Sequence, residues 1–442
     1  MRMPQGYLQI GGRALHSLWL SFKVALMPPL IVSPEQIRPL QLFMAEGILG
    51  NAGDHIALTF VPLFALALGA SYAQLGWLAA IASMAGALAL WSAAFWATHW
   101  IRRRQQVITL TMGVSRFSYL VIALVPWLFV PSWRWPILTM LWAIRAFLVN
   151  WIHPIWTAFS MDLVPTRIRD FYLHARKDAM TVAAVLALPI AGLIIHTGEH
   201  NVGYLAGLLL AFALGLAGLI VFMQIPHIPE TGSIPSVHNE PRGEWHSRSF
   251  LAFCGVSFLW NASLQLASPF LNVYLITELR TTAFGVGLLA AIGLFFGFAA
   301  SHLVADVVRY RGALWTIRFT SLLIPFLPWA WMFVTAAWQV ALLNMLSGIL
   351  WAAYNLAVFR LLVTLAPETA RSQAIVWYQI IVFVGACVGP PIGGILADRI
   401  GFRPVFLLSG VGRLLAALLL WTLVHEPERR SCASAFAPHL GG

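Results

Sequence analysis

Glu46, Asn51, Asp54 and His55 share one apolar stretch of this chain, and Arg145, Asn150 and His153 share another. Ionisable side chains in such stretches are costly in lipid, and by default they face an internal cavity or one another. If the first stretch enters the bilayer near residue 43, Asp54 lies roughly 16 Å deep at 1.5 Å per residue. Arg145, nine residues past Pro136, lies roughly 14 Å from the opposite face, so the two can meet at one depth. A carboxylate held by a fixed cation is released from it by protonation, and such a pair can exchange a proton for a solute. His55 stands one turn from Asn51 and His153 about 80° around its helix from Arg145, which lets them line the same cavity. Asn261, Gln265 and Asn355 supply uncharged polar groups from later stretches, where helix–helix hydrogen bonding is the competing use.

The elements that position these residues must be membrane helices. Of 442 residues, 60% are hydrophobic and 10% charged, whereas soluble domains carry roughly a quarter charged residues. The net charge of +11 is almost entirely arginine, in short runs between apolar segments, where it orients helices rather than binding nucleic acid. Cys254, Cys387 and Cys432 have no metal-ligand spacing. Neither Lys23 nor Lys177 follows a glycine, which excludes a phosphate-binding loop. No metal, cofactor or catalytic nucleophile is expected.

The chain contains one membrane unit twice. Arg116-Phe117 and Pro126-Trp127 recur as Arg318-Phe319 and Pro328-Trp329, both displaced by 202 residues. Leu163, Pro165 and Arg169 recur as Leu365, Pro367 and Arg371 at the same displacement, while Leu78 to Ile81 recur as Leu289 to Ile292 at 211. Spans of about 20 apolar residues are expected near 41–68, 74–97, 107–130, 136–160, 178–197 and 203–225, and again near 250–276, 283–304, 313–334, 338–364, 374–396 and 404–424. The predicted fold is therefore an all-α membrane protein of twelve transmembrane helices in two pseudo-symmetric six-helix bundles. Its parts are a cytoplasmic or interfacial segment at 1–40, bundles at 41–225 and 250–424, a proline-broken linker at 226–249 and a tail at 425–442. Residues 14–32 predict an interfacial helix, with a thirteenth span as the alternative. Counting Lys and Arg, with Arg176 and Lys177 among the cytoplasmic loop charges, places both termini in the cytoplasm.

Three motifs resemble the major facilitator superfamily. Asp162-Leu163-Val164-Pro165-Thr166-Arg167-Ile168-Arg169 is similar to its Asp-x-x-Pro-x-x-x-Arg loop element. Gly385, Gly389, Pro390, Gly393 and Gly394 follow the glycine-proline pattern of its proton-coupled exporters, but in the eleventh span rather than the fifth. Gly394 to Arg403 fits the loop signature Gly-x-Leu-x-Asp-Arg-x-Gly-x-Arg, on the face opposite to the family's usual one. Leu141 to Arg145 resembles the start of a fourth-span motif whose arginine serves proton coupling.

The resemblance implies a secondary transporter of a small organic solute in the cytoplasmic membrane, monomeric and proton-coupled, with efflux favoured. Uptake of a neutral solute such as a sugar, or a lipid-translocating or non-transporting relative, is the alternative. The glycine-proline segment would be the hinge. Arg116, Arg318, Asp162, Arg169 and Asp306 would serve structure or gating, with Arg116 pairing with Asp162 and Arg318, facing Thr364 there, finding a different partner.

Overall fold

Only helices and closed barrels satisfy the backbone inside lipid, and this chain builds helices. A computed structural model describes residues 34–96, 103–198, 200–226, 248–367 and 371–425. The segment at 14–32, nearly all of the linker and the tail beyond 425 lie outside the described residues. The first half comprises α1 (Pro34–Ala67), α2 (Tyr72–Trp96), α3 (Arg104–Leu128), α4 (Pro131–Leu163), α5 (Arg169–Thr197) and α6 (His200–Met223). The second comprises α7 (Arg248–Thr277), α8 (Ala283–Arg311), α9 (Ala313–Trp331), α10 (Ala337–Leu365), α11 (Arg371–Ile400) and α12 (Phe402–Leu423). All twelve are long and apolar enough to cross a membrane.

Two spans expected to be continuous are broken at proline, which cannot donate to the preceding turn. Pro269 lies in a 3₁₀ turn, Ser268–Phe270, within α7, and Pro325 separates Ala313–Leu323 from Phe326–Trp331 in α9. α5 begins at Arg169 rather than near 178. Arg176 is therefore no loop charge: it is buried inside α5, because an acid on α1 neutralises it.

The repeat extends from sequence to contacts. Two helix pairs, α2 with α11 and α5 with α8, join the halves. Near the face that carries the α1–α2 turn, Gly394 of α11 lies against Tyr72 and Ala73 of α2, and Gly192 of α5 lies against Ala283 and Phe284 of α8. These contacts superpose under displacements of 202 and 211. So do the contacts of Gly76 with Pro390 and of Gly287 with Leu188. At all four glycines a Cβ would strike a backbone carbonyl of the opposite half, so the halves close here backbone to backbone. Farther from this face, Asp178 on α5 meets His302 on α8 at 3.4 Å.

α11 is packed on two sides. Gly385, Gly389 and Gly393, four residues apart, form one stripe against α7, where a Cβ on Gly385 would lie 2.6 Å from the Phe258 carbonyl oxygen and those on Gly389 and Gly393 would strike the Ala262 and Leu266 carbonyls. The helix stays continuous through Pro390 and Pro391.

The α7–α11 contact leaves no room for a methyl group, so Gly389→Ala should lower stability by about 1–3 kcal/mol. Gly255, on α7 with nothing within 4 Å of its Cβ position, provides the control. Gly255→Ala should be neutral or stabilising by up to about 1 kcal/mol. Thermal unfolding in detergent checks both, and equal effects would contradict the packing.

Candidate functional site

The deepest charges gather on four helices of the first half. Asp54 on α1 lies twenty residues from the helix start, and Arg116 and Tyr119 on α3 share one face three residues apart. Arg145 on α4 completes the set. Its Nη2 donates to Asp54 Oδ1 at 2.8 Å and its Nε to the Tyr119 hydroxyl oxygen at 2.7 Å. Arg116 Nη1 and the Tyr119 hydroxyl donate to the same Oδ1. Among the described residues no hydrogen bond reaches Oδ2, and the Asp54 side chain keeps 26% of its surface open. One oxygen is thus clamped by three donors while the other is left for a visitor.

Toward the α2–α3 face, a second pair repeats this pattern. Glu46, eight residues before Asp54 on α1 and about 80° around the helix from it, accepts from Arg176 Nη2 at 2.7 Å. Arg176 Nε also donates to the Phe43 carbonyl at 3.0 Å, and its guanidinium lies 4.0 Å from the Phe43 ring centroid. Glycines make the room: a Cβ on Gly47 would lie 2.6 Å from the Arg176 guanidinium, and one on Gly215 of α6 would lie 2.5 Å from Arg116 Cδ. Three guanidiniums therefore face two carboxylates in a low-dielectric wall.

Glu46, Asp54, Arg116 and Arg176 line a cavity of about 190 Å³ together with Asn51, Ser115, His153 and the apolar Met112, Ile152, Trp156 and Met180. Its lining comes from the ends of α1, α3, α4 and α5 nearer the α2–α3 face, away from the backbone closures. A space with buried charges on one wall and apolar side chains around it fits an amphipathic solute.

Of the sequence-derived candidates, Asp54, Arg145, Asn51 and His153 meet in this region, Arg145 through its bond to Asp54 and the other three in the cavity lining itself. Asn51 is anchored there by donating to the Met180 carbonyl at 2.8 Å. His55 adjoins Asp54 in sequence but is not part of the lining. Asn150 turns toward α2, its amide 3.2 Å from the Cβ position of Gly86. Asn261 bonds its own helix at Ser257 O, 2.8 Å away. Gln265 is half-buried and Asn355 exposed, and neither lies in this cavity.

The expected Arg116–Asp162 pair does not form. Arg116 lies twelve residues, about 18 Å, into α3, whereas Asp162 ends α4 beside the first residue of α3. Asp162 pairs with Arg104 instead, and Arg116 belongs to Asp54. Arg169 closes the same corner by donating to the Met161 and Val164 carbonyls at 2.6 and 3.3 Å. Arg318 has a different partner from Arg116, donating to the Trp421 and Val424 carbonyls at the end of α12. Asp306 is exposed near the end of α8.

Tyr119 as a site residue, and the pairing of Glu46 with Arg176, are what reading the sequence does not single out. The three-residue spacing of Arg116 and Tyr119 and the eight-residue spacing of Glu46 and Asp54 are the available signals.

A buried pair loses most when one partner is removed, because the other is left uncompensated. Glu46→Gln should cost about 3–5 kcal/mol, and Glu46→Gln with Arg176→Gln much less. Chemical or thermal unfolding of the single and double variants tests this, and additive losses would contradict a direct pair.

Comparison with known proteins places this geometry in a family. The Major Facilitator Superfamily model matches residues 43–362 and 262–440. Among curated relatives, the multidrug resistance protein MdtG of Serratia proteamaculans (strain 568) is 28% identical over 189 residues, 42% of this chain and 45% of that protein. A multi-drug resistance efflux pump PmrA homolog of Lactococcus lactis subsp. lactis (strain IL1403) is 26% identical over 186 residues, 41% and 45% of the two chains. These matches span less than half the length of either relative. Solved structures agree over more of the chain. The nucleoside transporter NupG has a TM-score of 0.68 at 13% identity, covering 88% of this chain and 99% of that one. The inward-open xylose transporter XylE from E. coli has a TM-score of 0.66 at 15% identity, covering 93% and 98%. At such identity the likeness concerns fold. The family match, twelve spans and the doubled half agree: the chain belongs to the Major Facilitator Superfamily and is a multi-pass membrane protein of that fold.

Proposed function

We propose that this protein exports a small organic solute across the cytoplasmic membrane in exchange for protons, as a monomer with both termini inside. One observation carries the coupling: Asp54 lines the cavity with one oxygen held by Arg116, Arg145 and Tyr119 and the other, among the described residues, without a hydrogen bond. A proton and a hydrogen-bond donor of the solute compete for that open oxygen. Mutually exclusive binding is what an exchanger requires, since each ligand must leave before the other is carried back.

Protonation also removes the charge that ties α1 to α3 and α4. The two guanidiniums then lose their shared counter-charge, and the clamp loosens. With this orientation the α2–α3 face is cytoplasmic, so the cavity lies toward the inside and the closures between halves lie outside. Rocking of the halves about α2–α11 and α5–α8 moves the opening from one side to the other, as in transporters built from repeats. The glycines and Pro390 of α11 let it slide between α7 and α2 with little side-chain obstruction, which suits a hinge. Arg145 behind Asp54 leaves the charge cluster with three guanidiniums to two carboxylates, which disfavours permanent organic cations and leaves amphipathic solutes without positive charge. The similarity to the multidrug resistance protein MdtG and to the efflux pump PmrA homolog supports the outward direction.

Asp54→Asn cannot titrate but keeps the shape of the side chain. In proteoliposomes of one orientation with an imposed pH gradient, it should reduce solute-driven proton flux to background while solute binding persists. Coupling unchanged from wild type would sink the proposal, and solute accumulating with protons rather than against them would reverse the direction.

A further inference from the structure

The two closures between the halves obey the repeat, but one position breaks it. Every helix begins with four amides that lack an intrahelical acceptor. In α2 they belong to Ser71, Tyr72, Ala73 and Gln74. Two are satisfied within the half: the Ser71 amide donates to Gln74 Oε1 at 2.9 Å and the Gln74 amide to Ser71 Oγ at 3.2 Å, a reciprocal cap. The other two cross to the second half. Tyr72 N–H donates to Asp398 Oδ1 at 3.0 Å and Ala73 N–H to Asp398 Oδ2 at 2.8 Å. The Tyr72 ring also packs 4.8 Å from that of Phe402, just past Asp398.

At the symmetric site the same accounting gives a different answer. Thr282, displaced by 211 from Ser71, caps α8 by accepting from the Gly285 amide at 3.2 Å. The residue 202 before Asp398 is His196, so no carboxylate occupies the matching position for the amides of Ala283 and Phe284. The backbone closures are twofold, whereas the charged cap is single.

We propose that Asp398 is the latch of this face: a helix cap supplied in trans, made only while the halves are closed there, that sets how readily the face opens. A carboxylate at a helix N-terminus gains both from the orphan amides and from the helix dipole. Opening returns the carboxylate and both amides to water, so the latch holds modestly and releases without leaving a buried charge. The signature containing Asp398 thereby acquires a role on the face opposite to its usual one. His196 on the other side leaves α5 and α8 free to part first.

The proposal rests on the rocking reading above, but its test reads conformation without a solute. Spin labels on cysteines replacing Ser132 and Glu278, one per half at this face, report its opening by electron–electron distance in a background with Cys254, Cys387 and Cys432 replaced by serine. Asp398→Ala should raise the open fraction roughly fivefold, and Asp398→Asn, which retains one acceptor, should raise it less. His196→Asp adds the missing cap, so it should lower the open fraction and offset Asp398→Ala in the double variant. Unmoved distances in Asp398→Ala overturn the latch. Should that variant not fold, unmoved distances in both Asp398→Asn and His196→Asp overturn it. Failure of the rocking reading is distinct: no variant and no pH would then show a second distance.

Discussion

An unneutralised carboxylate has no place in hydrocarbon, and the first half of this protein is arranged around meeting that constraint at Asp54. The side chain sits about mid-membrane on α1, where only other parts of the protein can solvate it. Arg116 and Tyr119 from α3 and Arg145 from α4 converge on one of its oxygens, so three helices are pinned at a single atom. The neighbouring backbone accommodates the guanidiniums through glycine, at Gly215 for Arg116 and at Gly47 for Arg176. Packing, charge and cavity are therefore one arrangement: the same groups that make Asp54 tolerable also form the wall against which a solute would lie.

The doubled sequence shows what is scaffold and what is chemistry. Glu46 and Arg176 are buried together in the first half, and their counterparts under the repeat are Ser257 and Tyr378, which interact through their hydroxyls. Gly53 against Ala211 becomes Leu264 against Arg413. Asp54 corresponds to Gln265, Tyr119 to Ser321 and Arg145 to Ser347. Arg116 alone keeps its type, as Arg318, and there it closes the end of α12 instead of binding an acid. Backbone contacts repeat because helix packing depends on size and spacing, while the titratable set occurs once. The single coupling site proposed for Asp54 would have this asymmetry.

Twelve spans, the doubling of the half and the meeting of Asp54 with Arg145 are legible in the sequence, because hydropathy, displacement and depth along a helix are all linear quantities. What escapes a sequence is angular or local. Pairing Arg116 with Asp162 follows from starting α3 three residues late, which underestimates the depth of Arg116. Placing Arg176 and Lys177 in a loop follows from hydropathy, which falls before the helix ends. The breaks in α7 and α9 come from Pro269 and Pro325, whose effect on a span depends on neighbours that a sequence does not name. Tyr119 carries no charge to mark it. The glycine pattern of α11 is visible as a pattern, yet only the structure distinguishes the stripe against α7 from Gly394 against α2.

The central claim is that Asp54 changes protonation as the protein works. Infrared difference spectroscopy of the purified protein in lipid, stepped between alkaline and acidic medium, observes that event as the carbonyl stretch of a carboxylic acid. If Asp54 is the coupling group, a band appears on acidification, is absent from Asp54→Asn and is suppressed when a transported solute is present. A band that survives in Asp54→Asn, or that grows when solute binds, would contradict it.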